Sequence, residues 1–95
     1  MTRLIPLLLI AALIAPLLVA QRVVTDDRIY DEVRRRLADD PDIKGAAFEV
    51  TVKNGAVTLK GTVVDALARE KATKVVKKIK GVTMVDNQLK LFSEN

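Results

Sequence analysis

Apolar and polar residues alternate from Val50 to Val64, in VTVKNGAVTLKGTVV, on both sides of an Asn-Gly pair. Period-two alternation marks a half-buried strand, and Asn54-Gly55 suits the two positive-φ positions of a type I′ turn. The stretch therefore predicts a hairpin. One face carries Val50, Val52, Val57, Leu59 and Val63, with Phe48 continuing it toward the N-terminus. The other face carries Thr51, Lys53, Thr58, Lys60 and Thr62. Gly61 falls on the apolar side, where a missing side chain permits a bulge or the close approach of a helix.

Helical spacing flanks the hairpin. Ile29, Tyr30, Val33 and Leu37 share one predicted face, with Asp31, Glu32, Arg35 and Arg36 elsewhere. Thr25 or Asp26 can serve as N-cap, and acidic residues gather in the first turn, where the helix dipole favours them. Pro41 restricts Asp40 and ends the helix within DDPD. After the hairpin, Asp65 is a plausible N-cap for ALAREKATKVVKKIK. Ala68, Ala72, Val75, Val76 and Ile79 form its apolar side; Lys71, Lys74, Lys77 and Lys78 point the other way, with Arg69 and Lys80 nearer the boundary. Gly81 suits a left-handed C-terminal cap. A last strand places Val85, Leu89 and Leu91 inward and Asp86, Gln88 and Lys90 outward. Asn87 interrupts the inward set, so it needs a hydrogen-bond partner or a place at the sheet's rim.

The order is helix, strand, strand, helix, strand. A strand–helix–strand crossover leaves its strands parallel and is right-handed. With the first strand placed between the other two, the crossover skips one position and both helices cover one face. The expected fold is an α+β two-layer αββαβ sandwich: a three-stranded mixed sheet with two helices on one face, preceded by an N-terminal hydrophobic helix. The valine face is the core, and no third layer is available for the threonine face.

The leader is of another character. After Arg3 the chain runs from Leu4 to Ala20 without a charge, broken by Pro6 and Pro16. With no polar face it does not read as a core helix. A cleaved secretory signal fits the basic start and Ala20, although Leu18 stands where a small residue is wanted. A retained anchor needs roughly 20 apolar residues, a shortfall that flanking residues and local thinning absorb. Arg22, Arg28 and Arg34 to Arg36 outnumber Arg3, which argues against simple export by the positive-inside rule; export is still the favoured reading, with cleavage and retention both open. Residues 1–21 are thus a signal peptide or anchor, 22–25 a linker, 26–92 the domain and 93–95 a tail.

Composition narrows the chemistry. The 95 residues contain no cysteine and no histidine, which removes disulfides, thiolate metal sites, the usual neutral-pH base and the commonest metal ligand. Formal net charge is +4, and all but one of the basic residues lie beyond Ala20. Asp39, Asp40 and Asp42 lack the glycine turn and distant glutamate of a calcium loop. They read as helix-terminating and solvating residues. Other carboxylates are scattered, so no acid–base pair, metal site, cofactor or small-molecule substrate is expected. Only Tyr30, Phe48 and Phe92 are aromatic beyond the leader, two of them on core faces, so no stacking platform for nucleic acid exists.

With its elements placed, the chain from about Asp26 to Leu91 resembles a BON domain, the bacterial module named for osmotically inducible and nodulation proteins. The segments that carry the likeness are DDRIYDEVRRRLADDPDI, FEVTVKNGAVTLKGTVVD and GVTMVDNQL. The resemblance implies an αββαβ domain of the bacterial cell envelope, in the periplasm or anchored in the inner membrane, without catalytic activity. Proposed roles of such domains lie in phospholipid binding and envelope integrity or stress response. The family usually carries two or more copies or joins the module to another domain; this chain has one copy.

Two surfaces are then candidates. Lys71, Lys74, Lys77 and Lys78 would contact anionic headgroups; a merely solvated helix face is the simpler alternative. Thr51, Lys53, Thr58, Lys60 and Thr62 would form a docking face for an envelope protein or a second copy. There too a simpler reading exists, since threonine suits strands and exposed lysine discourages edge aggregation. Asn54, Gly55, Gly61 and Gly81 are assigned to turns and caps.

Overall fold

The computed structural model of the chain describes residues 24–94. The elements are α1 (Asp26–Asp39), β1 (Glu49–Lys53), β2 (Ala56–Val63), α2 (Ala66–Lys77) and β3 (Met84–Leu91), with short 3₁₀ turns at Gly45–Ala47 and Phe92–Glu94. The leader, read as a signal peptide or anchor, lies outside the described residues. Among those residues no helix is long and apolar enough to cross a membrane.

Local chemistry sets most boundaries. Thr25 is the N-cap of α1, its hydroxyl accepting the Arg28 N–H at 3.3 Å. Asp40 ends the helix in extended backbone, as a residue before proline must. Asp65 caps α2 by accepting the Ala68 N–H at 2.8 Å. Asn54 and Gly55 both take positive φ, 52° and 81°, as the two-residue turn requires.

The sheet runs β1-β2-β3, with β2 antiparallel to β1 and parallel to β3. The parallel crossover is present, but the first strand is not central. The hairpin leaves one edge of β2 free, and the α2 crossover delivers β3 directly to it; no strand has to be skipped. Strand β1, only five residues long, is left at the edge, while Val57, Leu59 and Val63 of β2 are almost wholly buried.

Both helices cover the same sheet face. Ile29, Val33 and Leu37 of α1 and Ala68, Ala72 and Val76 of α2 join Val50, Val57, Leu59, Val63 and Leu89 in one core, closed by Ile43, Phe48 and Ile79. Three details depart from expectation. Tyr30 is 38% exposed, one step past the buried arc, and its ring lies against the Arg34 guanidinium, 5.8 Å from its centroid. Gly61, at φ 145°, makes room for a ring and not a helix: an added Cβ would sit 2.9 Å from Phe48 Cδ1. Helix α2 ends at Lys77 with Lys78 as C-cap. Gly81 instead supplies positive φ in the following turn, packed against Ile29 and Val24.

Side chains meet backbone groups beside each of the two edge strands. Arg34 donates to the Phe48 and Ala46 carbonyls at 3.0 and 3.3 Å beside β1. At β3, Asn87 donates to the Arg69 carbonyl and Thr73 hydroxyl of α2 and accepts the Leu89 N–H at 3.1 Å. Asn87 thus has the partners its inward position demanded.

Candidate functional site

Helix α2 presents its lysines unevenly. Lys74, Lys77 and Lys78 are exposed and make no ion pair among the described residues. Lys71 is different. It is half-buried, and its ammonium is held by Asp42 at 2.7 Å and Asp40 at 3.1 Å, so it joins α2 to the turn after α1. Desolvation raises the Asp40 carboxyl, but the Asp42 N–H and the Lys71 ammonium outweigh it, and Asp40 titrates below its ordinary value. Hydrogen bonds to Asp42 and then Asp40 hold Lys71 above its own. Two of the three aspartates that end α1 thus act as lysine ligands; among the described residues no acidic cluster could hold a metal ion.

Leu67, Lys71, Lys74 and Lys78 follow one another at helical spacing of three or four, forming one stripe along α2. Leu67 is 76% exposed at its N-terminal end. Near it are Val64 and Phe92, 68% and 61% exposed, around a concavity of about 590 Å³ that Pro41, Ile43 and Lys44 also line. This apolar cluster went unnoticed in the sequence because each residue adjoins an element boundary, where periodicity carries little information.

The open sheet face does bring Thr51, Lys53, Thr58, Lys60 and Thr62 together. Its register adds Glu49 beside Lys60, Asp86 beside Thr58 and Lys90 beside Thr62. Charges of both signs are interspersed, and no pocket is centred there among those described. The turn residues Asn54 and Gly55 have a fixing partner that the sequence did not reveal: Asp26 accepts both their N–H groups, at 2.8 and 3.0 Å.

The whole is a two-layer domain with charged groups on its helices and on its open sheet face. The BON domain family model matches residues 25–91, as a single copy. The chain belongs to the BON family, whose members are envelope-associated, non-catalytic modules that bind lipid or protein. No curated protein matches the chain.

Proposed function

We propose that this domain associates with anionic phospholipid through the outer face of α2, as a component that maintains the bacterial envelope or supports its stress response. The carrying observation is the set of exposed lysines Lys74, Lys77 and Lys78, which the fold leaves without carboxylate partners among the described residues. Cations near an anionic bilayer contribute about 1 kcal/mol each. Leu67, in the same stripe, adds apolar surface that can enter the headgroup boundary. In this reading Lys71 chiefly ties α2 to the Asp40–Asp42 turn and adds less to binding. The basic helix supports periplasmic or inner-membrane placement equally well.

The test is co-sedimentation of the chain from Gln21 onward, which holds the entire helix–sheet core described above, with phosphatidylglycerol and phosphatidylcholine vesicles. Preference for the anionic vesicles is expected, with a loss of about a hundredfold or more at low salt when Lys74, Lys77 and Lys78 become glutamate. Equal sedimentation with both lipids, unchanged by the substitutions, would refute the assignment.

A further inference from the structure

Strand β3 is an edge strand eight residues long. The two-residue turn makes Lys53 and Ala56 a hydrogen-bonded pair. By alternation, the odd-numbered residues of β2 turn their amides toward β3, and Val85, Asn87, Leu89 and Leu91 of β3 turn theirs outward. The Leu89 N–H bears this out, since it reaches no strand and is taken by the Asn87 side chain.

The outward-facing groups and the side chains between them are self-complementary. If a second β3 lies antiparallel with a two-fold axis at Gln88, Asp86 of each copy faces Lys90 of the other on the open sheet side. On the helix side Val85 faces Leu91, both half-buried in one copy, and Asn87 faces Leu89. A slip of two residues either way loses both ion pairs, and larger slips oppose Asp86 to Asp86 or Lys90 to Lys90. We propose that two copies of this chain join through their β3 edges in this register, making one six-stranded sheet. On the flank of α2 nearest that edge, Arg69 is paired with Glu94 at 3.1 Å and Thr73 is engaged by Asn87. Leu89 exchanges the Asn87 Oδ1 for the partner copy's Asn87 carbonyl, so its N–H stays bonded throughout. The other edge carries a similar pair, Glu49 and Lys53, but is shorter and has Arg34 seated on the Phe48 carbonyl.

The absence of cysteine from the chain makes the register directly testable in the full chain. Gln88 meets its own symmetry mate in a non-hydrogen-bonded pair, whose Cβ atoms are close enough for a disulfide. Gln88→Cys is expected to give an oxidised dimer in membranes or detergent, where Thr51→Cys and Lys60→Cys do not. In the Gln88→Cys background, Asp86→Lys places like charges opposite each other and is expected to cut dimer yield about tenfold. Adding Lys90→Asp to it restores opposite charges and the yield. Circular dichroism checks that these exposed substitutions leave the fold intact. Preferential cross-linking at position 51, equal cross-linking at 60 and 88, or failure of the double exchange to recover the dimer would overturn the proposal.

Discussion

The two helices use charge in opposite ways. On α1, Glu32 bonds both Arg35 and Arg36, Arg34 spans to the Phe48 and Ala46 carbonyls, and Asp26 grips the hairpin turn. On α2, among the described residues, carboxylates engage only Lys71 and Arg69, and Lys74, Lys77 and Lys78 are exposed. Charged groups that hold other elements have little freedom to meet a ligand; those left solvated cost the fold nothing when a ligand takes them. The difference puts much of the polar framework on α1 and leaves accessible cations on α2, which is what the proposed function draws on.

Substitutions on the two helices break the contrast in graded fashion. Asp26→Ala leaves the Asn54 and Gly55 amides without their acceptor and is expected to cost about 2 kcal/mol in denaturant unfolding, with faster hydrogen exchange at those two amides. Arg34→Met keeps the packing over Tyr30 but frees two carbonyls beside β1, a loss of about 1 kcal/mol. Lys71→Met acts through pH. Asp40 is depressed, so its contribution is present above the ordinary carboxylate value of 3.8 and lost as pH falls through the lower folded value. Lys71 is raised, so its contribution is complete below 10.5 and lost as pH rises through the higher folded value. The variant should therefore lose the part of the acid and alkaline dependence that this cluster supplies, read as flatter melting temperatures below pH 4 and above pH 10.5. Finally, the triple change of Lys74, Lys77 and Lys78 to glutamate should alter stability by no more than about 0.5 kcal/mol, while abolishing vesicle binding. A destabilisation as large as that of Asp26→Ala would end the comparison.

Much of this was readable from the chain because its strongest signals are periodic. Alternation through Val50–Val63 placed the strands and their faces, and Asn54-Gly55 fixed the register of the hairpin. The order of strands was not readable: the crossover shows that β3 is parallel to β2, but adjacency depends on which edge is vacant. Tyr30 looked like a core residue because helical spacing resolves an arc only coarsely, and its amphipathic ring suits the edge of that arc as well as its centre. The inequality of the four lysines was hidden too. Lys71 differs from its neighbours only through Asp40 and Asp42, about thirty residues away in sequence, and no local pattern reports such a meeting. The same holds for Asp26, which looked like one more capping acid.

That carboxylate has a mechanical consequence. Val24 packs against Gly81, and the next residue but one clamps the hairpin turn. Tension arriving through whatever precedes Val24 is therefore distributed at once to the turn between β1 and β2 and to the link between α2 and β3. A pull on the start of the domain therefore meets the Asp26 bonds to the hairpin turn and the Val24–Gly81 contact as it begins to draw out the first helix.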